Sequence, residues 1–176
     1  MTKRRTAILY VGCSFQWRAL LIHNNQLLVY SAATVTGMYT IQQTRVMYPK
    51  TFIIALASQQ HHDMLKKMGA NETFDYKSPS LVSGVRSLGR NITKCVDCFS
   101  EGQSTAVSAK CMISNEEEND KNSIPNKSRR IIRTLPPTLV KGSIPPNVRA
   151  DEWILTYTAF GKARNFRILY LRSLQS

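Results

Sequence analysis

Residues 26–37 read Gln-Leu-Leu-Val-Tyr-Ser-Ala-Ala-Thr-Val-Thr-Gly and contain the pattern that decides the fold. The apolar run from Gln26 to Tyr30 is typical of a buried parallel strand. The small residues from Ser31 to Gly37 predict a turn, and a helix is expected from Met38 to about Met47. The apolar run from Thr51 to Ala57 is a second buried strand. Strand, small-residue turn, helix and strand together predict one βαβ unit.

The same alternation continues along the rest of the chain. The expected elements are, in order, a helix over 60–68, a strand over 73–75, a helix from 78 to about 89, a strand over 95–99, a helix over 104–112, and strands over 130–135 and 153–160. Strands that alternate with helices of about ten residues imply a mostly parallel sheet covered on both faces. The predicted fold class is therefore α/β, a doubly wound parallel sheet.

Composition and charge exclude several classes of protein. The 176 residues suit a single domain, and the formal charge of +13 is gathered mainly at the two ends of the chain. Because no dense Lys/Arg run is interleaved with aromatic residues, no nucleic-acid partner is expected, although a basic nucleic-acid-associated protein stays an alternative. No run approaches the roughly 18 apolar residues that a membrane span needs. We expect a cytoplasmic protein that binds neither nucleic acid nor a membrane.

The cysteines favour reduced thiols over a disulfide framework or a metal site. Cys13, Cys95, Cys98 and Cys111 are unevenly spaced, as is usual for a protein of the reducing cytosol. Cys95 and Cys98 have the spacing of half a zinc site. However, residues three apart on a strand point to opposite faces, and no second Cys/His pair stands at ligand spacing. We therefore expect strand and core thiols and no metal.

The turn after the first strand suggests a phosphate-binding connection without proving one. A strand that ends in small residues and leads into a helix lets backbone N–H groups approach a pyrophosphate, where the helix dipole favours negative charge. The fingerprint G-x-G-x-x-G is absent, since Ser31, Ala32 and Ala33 stand where glycines are expected. Taken alone, the turn is equally compatible with an ordinary βα connection.

The end of the second strand indicates which nucleotide would fit. An acid there would bind the ribose of NAD and repel a 2′-phosphate, but the sequence from Ala57 to His62 has no acid. Hydroxyl, amide and imidazole groups at this position favour NADPH over NADH. An exposed position at the start of a helix is an equal alternative for His61 and the favoured interpretation for His62, and adjacent helical positions diverge too much to chelate a metal well.

Residues 27–37, 65–79 and 95–98 together resemble the cofactor domain of the zinc-independent fungal trans-enoyl reductases, within the medium-chain dehydrogenase/reductase superfamily. The most specific part is 68–76, where the superfamily typically has a Leu-Gly-Ala-Asp-x-x-Phe-Asp-Tyr type of run. Residues 153–161 resemble a later family segment beside the substrate and the nicotinamide. The resemblance implies a Rossmann-like sheet that binds NADPH.

The resemblance also implies a set of site residues. The pyrophosphate turn would be formed by Ala33, Thr34, Val35 and Thr36, and the surroundings of the 2′-phosphate by Ser58, Gln59, Gln60 and His61. Tyr76 would line the adenosine end, and Leu135 and Pro136 would approach the nicotinamide side. The acyl substrate would be bordered by Thr156, Tyr157, Thr158, Ala159 and Phe160. For Tyr157 and Phe160, simple core packing is an equal alternative.

The implied reaction is hydride transfer from NADPH to the β-carbon of an α,β-unsaturated acyl thioester, followed by protonation at the α-carbon. In this family a polyketide synthase presents the acyl group. The sequence identifies no catalytic residue for the proton transfer, and it leaves the oligomeric state open.

The chain also departs from the family pattern. We expect an atypical N-terminal segment over 1–24, an NADPH-binding domain over 25–162 with a solvated loop over 115–128, and a divergent basic tail over 163–176. The separate barrel-like domain of the family and its closing strands are not recognised, so the sheet is expected to be incomplete at its C-terminal end. A truncated remnant, a non-catalytic nucleotide-binding or interaction module, and a chain that does not fold stably are the alternatives.

Overall fold

The computed structural model describes residues 26–113, 129–134 and 142–150. These residues belong to one compact unit, Leu21–Ile154. The elements in chain order are β1 (Gln26–Tyr30), α1 (Val35–Met47), β2 (Phe52–Leu56), a 3-10 turn (Gln59–His61), α2 (His62–Lys67), β3 (Glu72–Phe74), α3 (Leu81–Arg86), β4 (Lys94–Asp97), α4 (Ser104–Met112) and β5 (Arg130–Arg133). The alternation expected from the sequence is confirmed. The loop expected over 115–128 and the strand expected over 153–160 lie outside the described residues.

The five strands form one parallel sheet in the order β3-β2-β1-β4-β5. In the central strand, Leu28 pairs with Ile54 of β2 on one side and with Cys95 of β4 on the other. The chain moves outward in one direction from β1 to β3 and in the opposite direction from β4 to β5. Because parallel crossovers are right-handed, this reversal places helices on both faces. The Rossmann-like, doubly wound α/β class is confirmed.

Apolar side chains cover both faces of this sheet. Residues alternate between the faces along each strand, so neighbours such as Leu27 and Leu28, both fully buried, contribute to opposite layers. Burial of one such side chain contributes about 1.5–3 kcal/mol. One layer packs strand residues against α3 and α4 and includes Leu28, Ile54, Leu56, Cys95, Ile131, Leu81, Val85, Ala109 and Met112. The short α3 and α4 are therefore held mainly by this burial.

Helix α1 begins one turn earlier than the sequence predicted. Thr34 is its N-cap, and the Thr34 Oγ1 accepts a hydrogen bond from the Gly37 N–H at 3.1 Å. The expected start at Met38 is wrong because Gly37 belongs to the helix rather than to the turn. A Cβ atom at Gly37 would lie only 2.6 Å from the Ala32 Cα. The glycine thus allows the first turn of α1 to lie directly against the end of β1.

We expect the Gly37→Ala variant to lower the free energy of unfolding by about 2 kcal/mol, because the new methyl group must displace backbone atoms. Helix propensity alone predicts the opposite sign, a gain of up to about 1 kcal/mol. Urea denaturation followed by circular dichroism measures the difference. Gln42→Ala, at an exposed position of the same helix, is the matched control. A Gly37→Ala protein at least as stable as the wild type would contradict the close contact.

Candidate functional site

The carboxyl ends of β1, β2 and β3 surround an open recess of roughly 230 Å³. Two backbone hydrogen bonds of 3.0 Å join these ends, one from Ala32 N–H to Leu56 O and one from Ala57 N–H to Phe74 O. Parallel strands bring their carboxyl ends to one edge, which is where α/β sheets bind ligands. The recess is lined by Ser31, Ala33, Thr34, Ala57, Ser58, His61 and Tyr76.

The turn after β1 is tightened by Ser31 and Thr34. Ser31 has a left-handed backbone with φ of 54°, which is uncommon for a residue other than glycine. Its carbonyl oxygen accepts two hydrogen bonds, from the Thr34 N–H at 3.0 Å and from the Thr34 Oγ1 at 2.8 Å. The N–H groups of Val35 and Thr36, in the first turn of α1, have no carbonyl acceptor within the helix. This end of the recess therefore favours an anion.

The other end of the recess is formed by residues that follow β2 and β3. The Ser58 Oγ donates a hydrogen bond to the Tyr76 Oη at 3.1 Å. The Tyr76 ring packs against Tyr30, with ring centroids 6.0 Å apart and planes inclined by 41°. The Lys77 Nζ lies 5.8 Å from the centroid of the Tyr76 ring. No acidic side chain is among the residues that line the recess.

The two adjacent histidines have different surroundings. The His62 Nε2 lies 3.1 Å from the Ala57 carbonyl oxygen and donates to it, so this imidazole fixes the end of β2. His61 lines the recess, and its Nε2 lies 3.1 Å from the Gln60 Nε2. Over the described ranges, no three His, Cys, Asp or Glu side chains are grouped closely enough to hold a metal ion.

The structure brings together only part of the residue set expected from the sequence. Ala33, Thr34, Ser58, His61 and Tyr76 all line the recess. Four others lie nearby without lining it; they are Val35 and Thr36 in the first turn of α1, and Gln59 and Gln60, both exposed. Outside the described residues lie Leu135, Pro136, Thr156, Tyr157, Thr158, Ala159 and Phe160. The lining residues Ser31 and Ala57 were not expected. Ser31 directly follows the first predicted strand, and Ala57 is the last residue of the second.

Asp97, at the end of β4, is a buried polar centre that was not expected from the sequence. Its side chain is fully buried and accepts four hydrogen bonds. The donors are the Phe99 N–H at 3.1 Å, the Ser100 N–H at 2.9 Å, the Ser104 Oγ at 2.7 Å and the Thr105 Oγ1 at 2.7 Å. An acid in a buried strand, followed by several Ser and Thr residues, is the signal that could have identified it.

The same centre reaches β5 through Ser100. The Thr134 N–H, directly after β5, donates to the Ser100 Oγ at 2.8 Å. Ser100 in turn donates from its Oγ to the Asp97 carbonyl oxygen at 2.6 Å. Asp97 and Ser100 therefore join β4, the start of α4 and the end of β5, beside the strand ends that form the recess.

Burial keeps the thiols near this centre protonated. It raises the pKa of Cys95 and Cys98, and the negative charge of Asp97 is the second cause for both. Burial also raises the pKa of Cys111 to about 12. The pKa of Tyr30 rises to about 12 through burial and then through Asp97. The three described cysteines are free, and a thiol that remains protonated is a poor nucleophile.

We expect Asp97→Ala to lower the free energy of unfolding by about 3 kcal/mol or more, because four donors, three of them in buried hydrogen bonds, lose their acceptor. Asp97→Asn should cost less, since the amide keeps one acceptor oxygen. Chemical denaturation measures both variants, with the exposed Asp63→Asn as the control for loss of a carboxylate. Equal, small losses at positions 97 and 63 would show that the four hydrogen bonds contribute little.

We expect stability to fall at alkaline pH. A pKa that is higher in the folded state than in the unfolded state means that the native state holds the proton more tightly. The group's contribution to stability is therefore fully present below the unfolded-state pKa and is lost as the pH rises to the folded-state pKa. For Cys111 this window runs from 9.0 to about 12, and for Tyr30 from 10.0 to about 12. Thermal midpoints measured from pH 7 to about pH 11 test this. Cys111→Ala should flatten part of the slope, and a flat wild-type profile would contradict the expectation.

Comparison with known proteins gives the chain relatives over part of its length. The trans-enoyl reductase ACTTS2 of Alternaria alternata is 37% identical over 95 residues, which are 53% of this chain and 27% of that protein. The enoyl reductase component lovC of the lovastatin nonaketide synthase of Aspergillus terreus is 35% identical over 80 residues, 44% of this chain and 21% of that protein. The chain thus spans about a quarter of the length of these relatives. No protein-family model matches it.

Among solved structures, a putative NADPH:quinone reductase from Bacillus thuringiensis has a TM-score of 0.60 at 18% identity, over 86% of this chain and 45% of that one. At this identity the likeness concerns the fold. No helix among the described residues combines the length and the apolar character needed to cross a bilayer. The sequence matches therefore confirm the resemblance to the trans-enoyl reductases for the matched part of the chain.

Proposed function

We propose that the recess binds the adenosine and pyrophosphate of NADPH, and that the chain serves as the nucleotide-binding part of an oxidoreductase of the trans-enoyl reductase type. The observation that carries this proposal is the recess itself, which gathers residues from the ends of three parallel strands. It occupies the edge of the sheet at which nucleotides bind to Rossmann-like folds. The relatives named trans-enoyl reductases support the same reading.

The pyrophosphate would contact the turn after β1. Ala33 and Thr34 line the recess there, and the N-terminus of α1 adds the N–H groups of Val35 and Thr36. Gly37 allows this N-terminus to lie close to β1, as the third glycine of the usual fingerprint does. The donor set therefore fits an anionic group even though the other two glycines of the fingerprint are absent.

The adenosine end would lie between the residues that follow β2 and β3. Ser58, His61 and Tyr76 line this side of the recess, and the exposed Gln59 and Gln60 lie between Ser58 and His61 in the sequence. All are neutral or potentially cationic, so none would repel a 2′-phosphate. The Tyr76 hydroxyl accepts from Ser58 and keeps its own proton for a ligand oxygen. We therefore propose NADPH rather than NADH as the cofactor.

The substrate side of the proposal rests on resemblance. Leu135 and Pro136 would approach the nicotinamide, and the segment from Thr156 to Phe160 would border an α,β-unsaturated acyl thioester. When bound, the cofactor supplies the hydride for the β-carbon. One relative is named as the enoyl reductase component of lovastatin nonaketide synthase, so a synthase-bound acyl group is the proposed substrate. We propose a cytoplasmic location for this reaction.

A second candidate is a nucleotide-binding module without catalysis. One observation favours considering it: the strained backbone of Ser31, at a position where a glycine would be free of strain. Such a module binds NADPH and leaves an unsaturated thioester unchanged. Loss of NADPH absorbance in the presence of an enoyl thioester would separate the two candidates.

We expect NADPH to raise the thermal midpoint of the chain and NADH to raise it little. A ligand at 100 times its Kd stabilises the native state by about 2.7 kcal/mol. Ser58→Asp should abolish most of the NADPH effect, because its carboxylate repels the 2′-phosphate, while Ser58→Ala should retain it. If the chain unfolds cooperatively and NADPH does not shift its thermal midpoint, both the proposed nucleotide site and the proposed enzymatic function are contradicted. Salt-sensitive affinity for DNA would instead favour the nucleic-acid alternative.

A further inference from the structure

Lys77 stands in the turn after β3, next to the recess but not among its lining residues. The Asp75 Oδ1 accepts a hydrogen bond from the Lys77 N–H at 2.9 Å. This bond between a side chain and a backbone two residues further on is an Asx turn, which fixes the local backbone. The turn carries both Tyr76, whose ring lines the recess, and Lys77, whose side chain is exposed.

The Tyr76 ring links Lys77 to the recess. The Lys77 Nζ lies over that ring, 5.8 Å from its centroid, within the range of a cation–π contact. The ring is also held by Tyr30 and by the hydrogen bond from Ser58. The Lys77 amine therefore contacts a ring that is itself held by two other residues beside the recess.

The recess needs a positive charge if it is to hold a phosphate monoester, which carries a charge of about −1.5 to −2 near neutral pH. Among the residues that line it, His61 alone is basic. The Lys77 side chain ends in a cationic amine that offers up to three hydrogen bonds. Resting on the proposed function, we propose that Lys77 supplies the positive charge that contacts the 2′-phosphate of the nucleotide and determines the preference for NADPH over NADH.

Two adenosine fragments isolate this contact from the rest of the cofactor. The probes are 2′,5′-ADP and 5′-AMP, which differ only in the 2′-phosphate, with Kd values measured by calorimetry at low salt. For Lys77→Met we expect about five- to tenfold weaker binding of 2′,5′-ADP and a change of less than about twofold for 5′-AMP. Lys77→Arg should restore binding to within about threefold. Added salt should reduce the wild-type preference, since it screens exposed charges.

Lys110→Met is the matched control, because it removes one exposed ammonium group from α4, outside the recess. It should leave both Kd values unchanged. Tyr76→Leu tests the directing role of the ring: in that background, Lys77→Met should cost about twofold or less. A loss of the same size in both backgrounds would mean that Tyr76 does not direct the amine.

The outcomes separate this inference from the proposed function. If the wild type prefers 2′,5′-ADP and Lys77→Met leaves that preference intact, the nucleotide site stands and the role of Lys77 is overturned. The same holds if Lys77→Met and Lys110→Met weaken binding equally. A cooperative thermal transition shows that the wild-type chain is folded. If that folded chain binds neither fragment, the proposed function fails and this inference fails with it.

Discussion

The close contact between Gly37 and the backbone of Ala32 determines where the recess can form. Because no Cβ atom separates them, the first turn of α1 lies directly against the end of β1. A bulkier residue would push the helix away and widen the turn that holds Ser31 in its left-handed conformation. The anion-favouring end of the recess thus follows from a packing constraint as much as from polar chemistry.

The carboxyl ends of the strands carry two polar regions that differ in their hydrogen bonding. On the β2–β3 side, Ser58 and Tyr76 keep hydrogen-bonding capacity directed at an open recess. On the β4–β5 side, Asp97 accepts hydrogen bonds from four protein donors and has little capacity left for a ligand. The second region is structural: it fixes the strand ends against which a bound molecule would be positioned.

The elements and the class of fold could be predicted because each signal was local. Apolar runs, turn residues and helix ends each lie within a few neighbouring positions. The start of α1 was missed because the reason for Gly37 is a contact across the turn, with Ala32, rather than a turn conformation. Asp97 was missed for a similar reason, since its donors include Ser104 and Thr105 on a later helix. The role of Lys77 depends on a ring orientation that no sequence pattern encodes.

The lining of the recess comes from one continuous stretch, residues 31–76. Strands β1 to β3 pair with the strands that precede or follow them in the sequence. The pairing of Leu28 with Cys95 instead joins β1 to β4, which is much more distant in the sequence. Contacts of short sequence separation cost less loop-closure entropy and form more readily. The pairings that shape the recess therefore cost less loop-closure entropy than the pairing that joins β4 to β1.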